Sequence, residues 1–178
     1  MLRKGYVILT VILLLQAFGF SHDVKKEEYK FSLDQTKQWL EKRGFNYSKE
    51  ALQNLEYLNL KYSEITDEEM VNLRPLTNLK ILDLTFNKIT DSGLVHLTPL
   101  AKLKKLYISK NSVTDECLVH IRSLKSLREL SIGYTQISKI ASLSELPNLR
   151  IIYIWNTSIG DEEIKALKAS IPKLTIVN

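Results

Sequence analysis

The chain has 178 residues, 44% of them hydrophobic and 25% charged, enough for one globular domain with a substantial core. Its net charge of +5 is mild, and two of the positive residues, Arg3 and Lys4, sit in a segment expected to be removed, which argues against a polyanion-binding surface. A single cysteine, Cys117, excludes an intrachain disulfide.

The N-terminus has the layout of an export signal. Arg3 and Lys4 precede an apolar stretch, Val7 to Leu15, and small residues at Ala17 and Gly19 suit cleavage after Gly19, with Ser21 as the alternative point. Residues 1–19 are therefore expected to be a signal peptide. The other possibility is an uncleaved anchor, although the apolar run of 15 residues from Tyr6 to Phe20 is shorter than the roughly 20 that span a bilayer. Residues 20–31 are charged and lack an apolar period, as expected of a linker.

Residues 32–54 are expected to form a helical N-terminal cap. Ser32 can cap a helix running to about Arg43, with Leu33, Thr36, Trp39 and Leu40 on one side and Gly44 at its stop. Ser48 can cap a second short helix through Ala51 and Leu52.

From Leu55 to the end the chain repeats itself. Units begin at Leu55, Leu79, Leu103, Leu127 and Leu149, spaced by 24, 24, 24 and 22 residues. Each opens L-x-x-L-x-L-x-x-N/T/S-x-I/V; the second reads Leu79, Leu82, Leu84, Asn87, Ile89. Leu58 and Leu60 lie on one side of a strand by their period of two, and Tyr57, Asn59 and Lys61 on the other. A period near 3.6 follows in Met70, Leu73, Leu76 and again in Leu94, Leu97, Leu100. Each unit is thus a strand, a turn and a short helix. One unit cannot bury its apolar face alone, so the units must stack.

Five registered units of this kind closely resemble the leucine-rich-repeat family over about Leu55 to Val177. The 24-residue units are similar to ribonuclease-inhibitor-like repeats, and the shorter fourth unit to the 22-residue repeats of internalins. The resemblance implies an α/β solenoid, with a curved parallel β-sheet on the concave side and short helices on the convex side. It also implies a binding function. Leu174 and Ile176 repeat the L-x-L spacing, which predicts a terminal strand at about 172–177.

The constant polar letters have mechanical readings. Ser63, Asn87, Asn111, Thr135 and Thr157 fall where the chain turns in from the strand and can satisfy free backbone groups. Thr66-Asp67, Thr90-Asp91 and Thr114-Asp115 are expected to cap the helix starts, with a capping box between Thr66 and Glu69; Asp161 is kept in the fifth unit behind Gly160. This reading outweighs a cation site along the aspartate row. His96 and His120 occupy equivalent slots and read as solvated helix residues, because a metal pair would need further ligands. Cys117 takes the slot of Gly93 and reads as a small, partly buried spacer rather than an activated thiol. Asn46-Tyr47-Ser48 and Asn156-Thr157-Ser158 match the N-glycosylation pattern.

No glycine-rich phosphate loop, H-E-x-x-H or G-x-S-x-G motif is present, so no catalytic residue, metal or cofactor is expected. Variation concentrates at the outward strand positions. A protein partner is expected there, contacting Tyr57, Ile81, Asp83, Lys105, Tyr107, Glu129, Ile151, Tyr153 and Trp155. Tyr107, Tyr153 and Trp155 would anchor it, and Asp83, Lys105 and Glu129 would set specificity; Phe86 and Tyr134, in the next slot, extend the series to a rim. The alternation Lys61, Asp83, Lys105, Glu129 argues against nucleic acid. The expectation is an exported, monomeric, non-catalytic interaction module (secreted, periplasmic or at the cell surface), touching membrane only if the N-terminal segment stays uncleaved. The alternative is an assembly protein that self-associates through its C-terminal edge strand.

Overall fold

The computed structural model describes residues 33–178. The expected signal segment, the charged linker and the proposed cap at Ser32 lie outside the described residues. Six parallel strands form one sheet in sequence order: β1 (Tyr57–Asn59), β2 (Ile81–Asp83), β3 (Lys105–Tyr107), β4 (Glu129–Ser131), β5 (Ile151–Tyr153) and β6 (Thr175–Val177). Pairing continues just past each short strand: the Leu60 amide donates to the Asp83 carbonyl at 2.8 Å and the Tyr62 amide to the Thr85 carbonyl at 3.1 Å. The alternation of the sequence is realised in the register, because Leu58, Leu82, Leu106, Leu130, Ile152 and Ile176 stand opposite one another on the inner side. The first five of these are fully buried, and each buried leucine or isoleucine contributes about 1.5–3 kcal/mol.

The opposite side is built from single turns. They are Met70–Leu73, Asp91–Leu94 running into Val95–Leu97, Asp115–Cys117 running into Leu118–Ile121, and Ala141–Glu145. The fifth unit carries a full helix, Asp161–Ser170. In the two-residue-shorter fourth unit the segment is a 3-10 turn, as it is in the full-length first unit. This is an α/β leucine-rich-repeat solenoid. No helix among the described residues is long and apolar enough to cross a membrane.

Helix 33–41 lies across the first unit. Leu33, Thr36, Trp39 and Leu40 are buried, as their spacing predicts. Thr36 donates to the Asn72 carbonyl, the Trp39 indole donates to Glu69 Oε1 at 3.2 Å, and Arg43 pairs with the same carboxylate. Gly44 ends the segment with φ of +83°, a conformation that favours glycine. Ser48 caps Lys49–Gln53 by accepting from the Ala51 amide at 3.1 Å.

The aspartate row has a different role from the expected one. Asp67 accepts from the Thr90 amide (2.8 Å), the Thr90 hydroxyl (2.5 Å) and the Ser92 hydroxyl (2.7 Å), all in the next unit. Asp91 accepts from the Thr114 amide at 2.8 Å, and Asp115 from the Ser138 and Lys139 amides at 2.7 and 2.9 Å. These carboxylates tie each unit to its successor instead of capping their own helices. Asp161, kept in sequence, is exposed in the first turn of its helix. The fourth unit has no aspartate, and Glu163 of the fifth reaches back to accept from the Ile140 and Ala141 amides at 2.8 and 3.0 Å. The capping box is half formed: the Thr66 amide donates to Glu69 at 3.2 Å, while the Thr66 hydroxyl turns to Glu68.

Asn87 and Asn111 do more than satisfy their own turn. Asn87 accepts from the Ser63 and Ile65 amides and donates to the Leu60 carbonyl, all one unit earlier. Asn111 likewise accepts from Ile89 at 3.1 Å and donates to Leu84 at 2.9 Å. Thr135 and Thr157 are too short for this and donate within their own units, to Ile132 and Ile154.

Candidate functional site

Three side chains per unit project from the outward side of the sheet, and the parallel register lines them up across units. One row runs Tyr57, Ile81, Lys105, Glu129, Ile151, and the next runs Asn59, Asp83, Tyr107, Ser131, Tyr153. Lys61, Thr85, Ser109, Gly133 and Trp155 occupy the third position. The nine residues predicted for the site therefore share one face, yet they do not form one apolar patch. Tyr57 and Ile81 adjoin at the N-terminal end and Ile151, Tyr153 and Trp155 gather at the other. Lys105 and Glu129 stand between them.

That centre is internally satisfied. Lys105 Nζ lies 2.7 Å from Glu129 Oε2, and the Tyr107 hydroxyl donates to Glu129 Oε1 at 2.7 Å. Burial alone would push the Glu129 carboxyl up, but hydrogen bonds from Lys105, Tyr107 and Tyr153 hold it below the usual carboxylate range. Burial, with the Glu129 hydrogen bond and charge, drives the Tyr107 hydroxyl far above the ordinary phenol range, so it remains a donor. Lys105 and Glu129 thus present a neutralised pair to a partner, not two independent charges. Asp83 also spends one oxygen locally, accepting from the Thr85 amide at 2.8 Å.

The third position is more closed than an outward slot suggests. Ser109 is buried, with its hydroxyl 2.7 Å from that of Ser131, a buried residue of the second row in the next unit. Gly133 is buried because the next unit's backbone crosses it: a Cβ there would stand 3.0 Å from the Trp155 carbonyl oxygen. This close approach seats Trp155, which is 41% exposed, with its ring 5.0 Å from that of Tyr153 at a 37° tilt. The pairing suits aromatic rings, which favour offset or tilted contacts.

Beyond the third position lies a rim that the repeat alignment only partly indicates. Tyr62, Phe86, Lys110, Tyr134 and Asn156 hold equivalent slots, all with φ between 51° and 62°. Tyr62 and Lys110 belong with Phe86 and Tyr134; their shared slot in the 24-residue alignment was the signal. On the other side of the molecule, His96 is half-buried rather than solvated, with Nδ1 buried and lacking a hydrogen-bond partner. Cys117 is buried, and burial pushes its thiol well above the ordinary range, with Asp91 and Asp115 adding to the rise, so it is a packing residue. Among the described residues no group of three His, Cys, Asp or Glu is placed to hold a metal.

Comparison with known proteins agrees with this geometry. The leucine-rich-repeat family model matches residues 51–70 and 76–97. An internalin from Listeria monocytogenes superposes with a TM-score of 0.57 at 26% identity, over 71% of this chain and 42% of its own. A leucine-rich-repeat protein from Leptospira interrogans gives 0.54 at 27% identity, over 71% of this chain and 38% of its own. The chain therefore spans less than half the length of either structure. Among curated proteins none matches.

Proposed function

We propose that this leucine-rich-repeat protein is an exported, non-catalytic binding module whose protein partner docks on the outward face of the sheet, anchored by Tyr153 and Trp155. Leucine-rich-repeat domains are typically protein-interaction modules, which supports the class of function. The observation that carries the choice of site is the Tyr153–Trp155 pair, two large rings in contact on a strand held on both sides by hydrogen-bonded neighbours. Trp155 is exposed and Tyr153 half-buried; aromatic anchors on a rigid frame lose little freedom on docking, and such residues dominate interface energies. Ile151 extends the apolar contact, and the neutralised Lys105–Glu129 pair beside it gives the partner a polar border. Tyr57 and Ile81 form a smaller second foothold at the other end.

Export rests on Arg3, Lys4 and the apolar stretch that follows them. It would place the protein outside the cytoplasm: secreted, periplasmic or at the cell surface. The absence of catalysis is supported by the chemistry of the face, where Glu129, Lys105 and Tyr107 satisfy one another and leave no unpaired acid, base or nucleophile among them.

The test is affinity capture from the exported fraction with the wild-type chain and a Tyr153→Ala/Trp155→Ala variant of matched circular dichroism. A protein retained by the wild type and lost by the variant is expected. Equal retention by both would remove the assignment. The alternative reading, self-association, draws on β6 being an edge strand that pairs, among the described residues, only with β5. It would appear as concentration-dependent oligomers that Ile176→Lys disrupts, and a monomer at high concentration counts against it.

A further inference from the structure

The geometry points to a second docking surface, the rim row Lys61–Tyr62–Phe86–Lys110–Tyr134, and we propose that its occupant is an acidic peptide segment bearing an apolar side chain. The row is a continuous stack of rings and ammonium groups. Lys61 Nζ lies 5.0 Å from the Tyr62 ring centre, and the Tyr62 and Phe86 rings are 4.7 Å apart. Lys110 Nζ sits between two rings, 5.3 Å from Phe86 and 4.8 Å from Tyr134. The aromatic members are among the most exposed large apolar residues described: Tyr62 61%, Phe86 49% and Tyr134 50%. None of them is an anchor of the sheet-face reading, and the proposal does not rest on that reading.

Two further observations set this row apart from an ordinary exposed surface. Every member of the slot has left-handed backbone, which bulky side chains adopt at a cost and, after glycine, asparagine tolerates best. Asn156 shows the residue this slot accommodates without strain; three bulky rings occupy it elsewhere. Beside the row, Tyr62, Phe86, Asn87, Glu64 and Lys88 line a cleft of about 250 Å³, with room for one apolar side chain. Glu64 and Lys88 pair with each other at 3.2 Å, so the cleft carries no net charge from them.

Charge complementarity selects the occupant. Lys88 and Lys105 have carboxylate partners, whereas Lys61 and Lys110 join no ion pair among the described residues. Their ammonium groups are attracted to ring faces and keep N–H donors free for an anion. They lie two units apart, about 10 Å at the strand spacing, close to the span of three residues in an extended chain. A segment with carboxylates near that spacing and an apolar residue between them matches the row and the cleft together. Single-stranded nucleic acid fits poorly, because two lysines do not track a phosphate backbone.

The experiment uses the full chain and a fluorescein-labelled peptide of alternating glutamate and leucine, followed by anisotropy. The comparison probes are the lysine–leucine counterpart and an oligothymidylate. The acidic peptide should bind about tenfold tighter than either, weaken as salt is raised to physiological strength, and weaken about tenfold with Lys61→Ala/Lys110→Ala. Tyr134→Asn, which installs the residue the backbone favours, should keep the thermal midpoint and still weaken binding. Tyr153→Ala/Trp155→Ala should leave this binding intact, which separates the two surfaces. Preference for the oligothymidylate or the basic peptide overturns the proposal. So does affinity unchanged by both rim variants, or no binding of the acidic peptide at low salt.

Discussion

The hydroxyl of Tyr107 donates to Glu129 Oε1 at 2.7 Å across the β3–β4 step, while Lys105, two residues earlier on the same strand, holds the other oxygen at 2.7 Å. One carboxylate thereby joins two neighbouring units on the surface where a partner would dock. Tyr107→Phe should cost about 1.5–3 kcal/mol, the range for a hydrogen bond to a charged acceptor. Urea unfolding checks this. No change in midpoint would mean that water replaces the hydroxyl without loss.

The two inter-unit asparagines should be worth more than the threonines that replace them. Asn111 is buried and bonds to groups of two units, so Asn111→Ala leaves several backbone groups without partners and should cost about 3 kcal/mol. Thr135 bonds only within its own unit, donating to the Ile132 carbonyl at 2.6 Å and accepting a long bond from the Ile137 amide at 3.5 Å, and Thr135→Ala should cost about 1 kcal/mol. Equal losses in parallel unfolding curves would refute the difference in reach.

Gly93 and Cys117 hold equivalent slots, but only one should tolerate a side chain. A Cβ at Gly93 would stand 2.4 Å from Asp67 Oδ1 and 3.1 Å from the Ile89 side chain. The Gly93 amide and the Ser92 hydroxyl both draw the Asp67 carboxylate toward that position. In the next unit Glu116 replaces Ser92, and Cys117 fits. Gly93→Ala should destabilise by about 2 kcal/mol through overpacking. Gly160→Ala has open space around it and should shift the midpoint far less.

Acid should weaken the stack in two stages. Burial and the nearby Arg74 hold the His96 imidazole below its usual range, against a smaller opposing pull from Asp67. Its contribution is therefore present above the unfolded value near 6.5 and is lost as pH falls through the lower folded value. Burial raises Asp67 and Asp115, but hydrogen bonds from the next unit outweigh it and leave both below the ordinary aspartate range. Their contribution is complete above about pH 4 and disappears below it. Urea midpoints should therefore fall between pH 7 and 5 and again below 4. His96→Gln should remove the first decline and spare the second; a decline that persists in that variant would exonerate the histidine.

Much of the architecture was legible because it depends on apolar spacing alone. Leu58, Leu60 and Ile65 must be buried together whatever surrounds them, and the spacing of later units adds the stack. The destination of the aspartates was not legible. A carboxylate beside a threonine at a helix start serves equally well as a cap within its unit or as an acceptor for the next, and only the distance between units decides. The closure of Ser109 and Ser131 was hidden for a related reason: period two assigns a side of the sheet, but neighbouring strands determine whether that side is open. Grouping by apolar character also placed Tyr57 with Trp155, which the Lys105–Glu129 pair keeps apart.

The backward reach of Glu163 makes the units unequal in how they could be copied. A unit such as 79–102 carries an acceptor for its successor and donors for its predecessor, so a second copy beside the first would find complementary neighbours on both sides. The unit beginning at Leu127 has donors but no carboxylate in the aspartate slot, and it is fastened by Asp115 from one side and Glu163 from the other. Two such units in succession would face each other with donors alone. Lengthening of this solenoid by duplication is therefore open in its first half and closed around its fourth unit, so growth in that direction would require a new acceptor before it required a new unit.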